Sequence, residues 1–135
     1  MTIVIHHNPA CGTSRNALEM IRASGVEPIV VDYLKTGWTR PQLQALFAAA
    51  DLTPRQVLRI SKTPAEAMGL TDPEVSDEAI LDAMVAEPVL VNRPIVASPK
   101  GVRLCRPSEL VLELLDNPDI GSFTKEDGEV VQSKA

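Results

Sequence analysis

Two short β-branched runs, Ile3-Val4-Ile5 and Ile29-Val30-Val31, bracket one amphipathic stretch at the start of the chain. Each run reads as a strand. The stretch between them, with Ala17, Leu18, Met20 and Ile21 apolar at helical spacing, reads as a helix over 12–24 with Gly25 as its C-terminal cap. A crossover of this length suits a parallel pair and so a βαβ unit. The turn entering the helix is His7-Asn8-Pro9-Ala10-Cys11-Gly12-Thr13-Ser14-Arg15. Cys11 therefore stands where free backbone N–H groups and the positive end of a helix dipole favour the thiolate, which is the nucleophilic form. A cysteine is also often a small buried hydrophobe. The polar neighbours Asn8, Gly12, Thr13 and Ser14 argue against that reading here.

The middle of the chain reads as short helices with marked starts. Thr39-Arg40-Pro41-Gln42, Thr53-Pro54-Arg55-Gln56 and Thr63-Pro64-Ala65-Glu66 each have the form of a capping box with proline in the first turn. Leu43, Leu46, Phe47 and Ala50 form one apolar face, and Val57, Leu58 and Ile60 belong to a second short helix that also carries Arg59. Ser76-Asp77-Glu78 opens another, with Ile80, Leu81, Met84 and Val85 inward. Strands return at Val89-Leu90-Val91 and Ile95-Val96-Ala97. Pro99-Lys100-Gly101 turns the latter back as a hairpin with Val102-Arg103-Leu104. Pro107-Ser108-Glu109 opens a last helix.

The order β-α-β, helices, β-β-α is similar to that of thioredoxin-like proteins. The expected fold class is therefore α/β, a thioredoxin-like three-layer fold with an inserted, mostly helical region. The expectation is a single domain over 1–135, with the insertion at about 39–87 and a loosely docked polar tail at about 116–135. Such folds place a cis-proline opposite the cysteine at the start of the third strand, the position Pro94 occupies.

Composition narrows the function. With 135 residues the chain can bury a core, and only four aromatic side chains leave Leu, Ile, Val and Met to fill it. A net charge of −5 argues against non-specific nucleic-acid binding. No apolar run approaches the ~20 residues of a membrane span. The start runs straight into the first strand, so no signal peptide is expected. Two cysteines, Cys11 and Cys105, make no disulfide framework. These observations point to a protein of the reducing cytoplasm, with no membrane or nucleic-acid partner.

Cys11-Gly12-Thr13-Ser14 is C-x-x-S. A C-x-x-C would carry its own resolving thiol; this sequence needs one from outside unless Cys105 reaches Cys11. A phosphatase loop, C-x5-R, would require arginine where Ala17 stands. Arg59, Arg93 and Arg106 are widely spaced, two of them before prolines, and arginine forks suit tetrahedral oxyanions. Each alone is equally a solvated surface side chain. His7 can support the thiolate by charge or hydrogen bonding, while His6 should face the other way on the strand. The two histidines and two cysteines lack the spacing of a zinc site, so no metal is expected.

His7 to Asn16 closely resembles the active-site segment of glutaredoxin-coupled arsenate reductases. Leu90-Val91-Asn92-Arg93-Pro94-Ile95-Val96, Arg103-Leu104-Cys105-Arg106-Pro107-Ser108-Glu109 and Phe123-Thr124-Lys125-Glu126-Asp127-Gly128 resemble further stretches of that family. The resemblance implies reduction of arsenate to arsenite in arsenic detoxification, with glutathione as co-substrate, glutaredoxin as partner and no tightly bound cofactor. It implies Cys11 as nucleophile, His7 and Ser14 as its supports, Arg59, Arg93 and Arg106 as oxyanion-binding residues, and Cys105 as dispensable. The segment around Arg59 is less family-like than the others. Two other readings stand beside it. An Spx-like regulator would share the scaffold without catalysis, although the best known use a C-x-x-C switch. A general glutathione-dependent thiol oxidoreductase would lack the oxyanion site.

Overall fold

Strand β1, Val4–His7, lies inside a four-stranded sheet in the computed structural model, which describes residues 1–132. Helix α1, Gly12–Ala23, follows it, and strand β2, Ile29–Asp32, returns parallel to β1, with Val4 opposite Ile29 and His7 opposite Asp32. On the other side β3, Ile95–Ser98, runs antiparallel to β1, and β4, Gly101–Leu104, pairs back on β3. The sheet order is β2-β1-β3-β4. The chain divides into two compact units, one of Met1–Asp32 with the segment from Arg93 onward, the other Tyr33–Asn92. The insertion expected at about 39–87 lies within the second.

The core of the first unit follows from periodicity. Ile3 and Ile5 alternate inward from the start of the chain into β1. Ala17, Leu18, Met20 and Ile21 supply one stripe of α1, and Val96, Cys105, Val111, Leu114 and Leu115 complete the cluster. Gly25 follows the helix at φ +95°, a conformation that costs glycine nothing. β2 forms where expected and, as an edge strand, leaves Ile29 and Val30 exposed. The helix opening at Ser108 is 3₁₀ over Ser108–Leu114.

The tail is docked over its described part. Strands β5, Ser122–Thr124, and β6, Val130–Gln132, form a hairpin, and Val131 packs into the core. In its turn Lys125 is buried, with Nζ 3.0 Å from Glu109 and 3.4 Å from Glu129. Burial opposes the lysine's charge, but the two carboxylates outweigh it and raise its pKa. The rest of the expected tail, residues 133–135, lies outside the described residues.

In the second unit, α2 is Tyr33–Thr36, α3 Arg40–Ala50, α4 Pro54–Val57 and α5 Asp77–Ala86. The Thr39 and Thr53 capping boxes form as expected, and Ser76 caps α5 through the Ala79 N–H. Each such cap contributes about 1 kcal/mol. Thr63 does not start a helix. Its hydroxyl donates to the Arg59 and Ile60 carbonyls, closing the preceding turn, and the chain after it runs through turns. Helix α4 ends earlier than expected, at Val57. Leu58 is extended and bridges Val91, so Arg59 lies beyond the helix and Ile60 is exposed. Val89 belongs to a 3₁₀ turn, Pro88–Leu90, rather than a strand; proline at its first position suits a helical turn. Val85 is exposed on α5, while Ile80, Leu81 and Met84 are buried.

Ile5 is fully buried at the centre of the first unit's core. Ile5→Ala is expected to cost about 2–5 kcal/mol, read as a lower urea midpoint at unchanged slope.

Candidate active site

Cys11 is the N-cap residue of α1, in extended conformation, and its carbonyl accepts the first helical bond from the Arg15 N–H at 3.0 Å. The loop before it is tied to itself. The Cys11 N–H donates to the Asn8 carbonyl at 3.0 Å, and the Ala10 N–H to Asn8 Oδ1 at 2.9 Å. Pro9 and Ala10 are exposed while Cys11 is buried, at 8% exposure.

Two guanidinium groups reach that sulfur. Arg106 Nη1 lies 3.8 Å from Cys11 Sγ and donates to the Arg93 carbonyl at 3.0 Å. Arg93, two residues before β3, hydrogen-bonds the sulfur. The Arg93–Pro94 and Arg106–Pro107 peptides are both cis, the second not foreseen from the sequence. Burial alone would push the Cys11 thiol up. The Arg93 hydrogen bond, the Ser14 backbone N–H, the Arg93 charge and the Arg106 hydrogen bond together outweigh it and bring the pKa down to about 7. The Ser14 contribution is electrostatic, since no capping hydrogen bond to the sulfur closes.

His7 acts one step removed. Its Nδ1 lies 2.6 Å from Ser14 Oγ, and the same oxygen accepts the Asn8 N–H at 3.1 Å. Burial lowers the His7 pKa more than Asp32 raises it, and Arg15 and Arg22 lower it further, so the ring is neutral near pH 7. A neutral ring accepting at Nδ1 satisfies this network if the Ser14 hydroxyl donates to it. His7 thus offers the thiolate no charge; it fixes Ser14 in the first turn of the helix. Ser14 is fully buried, as that role requires. His6 is buried, and its pKa is lowered by burial.

Cys105 is a different thiol. It lies in the core with its sulfur 3.7 Å from the Arg103 carbonyl, and burial pushes its pKa up to about 12. Both cysteines are free. Arg59 belongs to the second unit, where its Nε donates to the Ser61 carbonyl at 3.2 Å and its Nη1 lies 3.5 Å from Asn92 Oδ1. Among the described residues no three His, Cys, Asp or Glu side chains are grouped to hold a metal, and no helix is long and apolar enough to cross a membrane.

Sequence reasoning missed two parts of the site. Asn8 shapes the loop through both its backbone and its side chain, and the Asn-Pro pair was the signal for such a turn. Arg15 binds Glu126 across 111 residues, a pairing that no local pattern announces. The assembled groups are a thiolate at a helix N-terminus with two arginines beside it. Such a set has the chemistry to bind a tetrahedral oxyanion and to present a nucleophile to it.

A family model described as the ArsC family matches residues 6–114. Over 129 residues the chain is 63% identical to an arsenate reductase, ArsI2, of Synechocystis, covering 96% of this chain and 92% of that protein. It is 51% identical over 133 residues to an arsenate reductase of Escherichia coli, covering 98% and 94%. Among solved structures, an arsenate reductase from Vibrio cholerae superposes with a TM-score of 0.81 at 36% identity, covering 85% of this chain and 98% of that one. The fold is thioredoxin-like.

Alkylation by iodoacetamide is expected to follow a titration centred at about pH 7, because only the thiolate reacts. Arg93→Ala should move the midpoint up toward the ordinary ~8.5. Cys105 should stay unlabelled until the protein is denatured.

Proposed function

Since the chain belongs to the ArsC family, we infer that it reduces arsenate to arsenite in arsenic detoxification, with Cys11 as the nucleophile. The observation that carries the reading is the buried Cys11 sulfur with Arg93 and Arg106 beside it. Arsenate is a tetrahedral oxyanion. The two guanidinium groups bind its oxygens and also stabilise the charge that builds as the thiolate attacks. Arg59 is assigned as a third oxyanion-binding arginine on the family resemblance alone.

The reaction runs in balanced steps. The Cys11 thiolate forms a bond to arsenic(V), and one arsenate oxygen departs as water. Glutathione then adds to arsenic through its sulfur, and a second oxygen departs as water. A glutaredoxin thiolate attacks the glutathione sulfur and forms a mixed disulfide. The electron pair of the broken sulfur–arsenic bond reduces arsenic from V to III. Water displaces Cys11, arsenite leaves and the thiolate is regenerated. Glutathione and glutaredoxin enter because C-x-x-S holds no resolving thiol and Cys105 is a core thiol held protonated. His7 and Ser14 hold the first turn of α1 so that its N–H groups face the sulfur. The chemistry needs a reducing compartment, which supports a cytoplasmic location. A single domain carrying the helical insertion is part of the same proposal.

The test is arsenate-dependent NADPH oxidation coupled through glutathione reductase, with and without glutaredoxin. Turnover is expected only with both thiol donors present; full activity with thioredoxin alone would contradict the borrowed-thiol step. Cys11→Ser should abolish turnover. Arg106→Ala should lower kcat/KM about 10²–10³-fold while Cys11 remains open to alkylation. A general thiol oxidoreductase would keep its activity in that variant.

A further inference from the structure

The guanidinium of Arg15 joins the nucleophile's loop to the C-terminal hairpin. Its Nε and Nη2 bind both carboxylate oxygens of Glu126, at 2.7 and 2.8 Å, while Nη1 donates to the Pro9 carbonyl at 2.7 Å. Glu126 is held in turn, its backbone N–H donating to the buried Asn16 Oδ1 at 3.2 Å. The next residue back, Lys125, anchors the same turn on Glu109 and Glu129. A Cβ built on Gly12 would sit 3.8 Å from both Arg15 Nη2 and Glu126 Oε1, so the pair lies over the first residue of α1, next to Cys11.

Two considerations give this pair a role in the site. Both partners are well exposed, at 42% and 49% of their side chains, and pairs of that kind contribute little to folding. A bidentate arginine–carboxylate contact does, however, fix orientation. What it orients is the exposed peptide at Pro9, two residues before the nucleophile, in a loop that the hydrogen bonds of Asn8 tie together. With Nε, Nη1 and Nη2 all engaged within the protein, Arg15 is committed to the loop rather than to an anion.

We propose that Glu126 is a positioning residue of the active site: acting through Arg15, the C-terminal hairpin sets the orientation of the loop that carries Cys11. The proposal deepens the arsenate-reductase reading and rests on it. A misplaced nucleophile reacts more slowly without weakening oxyanion binding, because Arg93 and Arg106 are carried by other segments, just before β3 and just after β4.

The experiment is a double-mutant cycle of Glu126→Gln and Arg15→Gln, with Glu27→Gln as a control that breaks another exposed arginine–carboxylate pair, on Arg22 at the other end of α1. Folding is checked by circular dichroism melts. Each of the first two variants is expected to lower kcat for arsenate about tenfold while KM moves less than about twofold. The double variant should fall no further than Arg15→Gln alone, and Glu27→Gln should keep kcat within about twofold of wild type. Wild-type kcat in Glu126→Gln would overturn the proposal. So would losses that multiply in the double variant, or a loss in Glu27→Gln equal to that in Glu126→Gln. The rate of Cys11 alkylation above its titration range, measured without arsenate, separates this idea from its premise. Slower alkylation in Glu126→Gln supports the clamp even if the wild-type chain fails to reduce arsenate, a failure that would sink only the functional reading.

Discussion

The contest over one sulfur atom organises the site. Burial of Cys11 works against its ionisation, and by itself would leave an unreactive thiol. Arg93 and Arg106 reverse the outcome with charge and hydrogen bonds, and the Ser14 N–H adds to them. The rest of the first unit serves to bring these groups together. β1 delivers the loop, α1 supplies its N-terminus, and the β3–β4 hairpin places one arginine before its first strand and the other after its second.

Cys105 shows what the arginines accomplish. It shares the chemistry of Cys11 but is more deeply buried, and with only the Arg103 charge against that burial its pKa is pushed up to about 12 instead of down to about 7. Its surroundings are the aliphatic side chains of the core, with a backbone carbonyl near its sulfur. A chain with one poised thiolate and one inert thiol cannot resolve its own intermediates. Dependence on outside thiols, as proposed, follows from that asymmetry as much as from the serine at position 14.

The βαβ unit and the sheet were legible because strand and helix periods differ and the apolar residues at positions 3–31 follow them cleanly. Cys11 was legible from its strand-to-helix turn and Arg93 from the expected fold, while Ser14 and Arg106 joined them through the family resemblance. Other features were not. Thr63-Pro64-Ala65-Glu66 has the sequence of a capping box, but Thr63 spends its hydroxyl on the turn before it. Val89-Leu90-Val91 is apolar enough for a strand, and a short run of that kind does not reveal its period. The neutral state of His7 depends on burial, and the Arg15–Glu126 pair on a contact across most of the chain; neither leaves a local pattern. The tail looked loose because it is polar, whereas a few specific contacts, Lys125 with two glutamates and Val131 in the core, dock it.

The most direct test of the central claim is the mass of the protein stalled with arsenate and glutathione in the absence of glutaredoxin, followed by peptide mapping. The account predicts arsenic bearing glutathione on Cys11, with Cys105 still a free thiol. A Cys11–Cys105 disulfide, or arsenic on any residue other than Cys11, would contradict it.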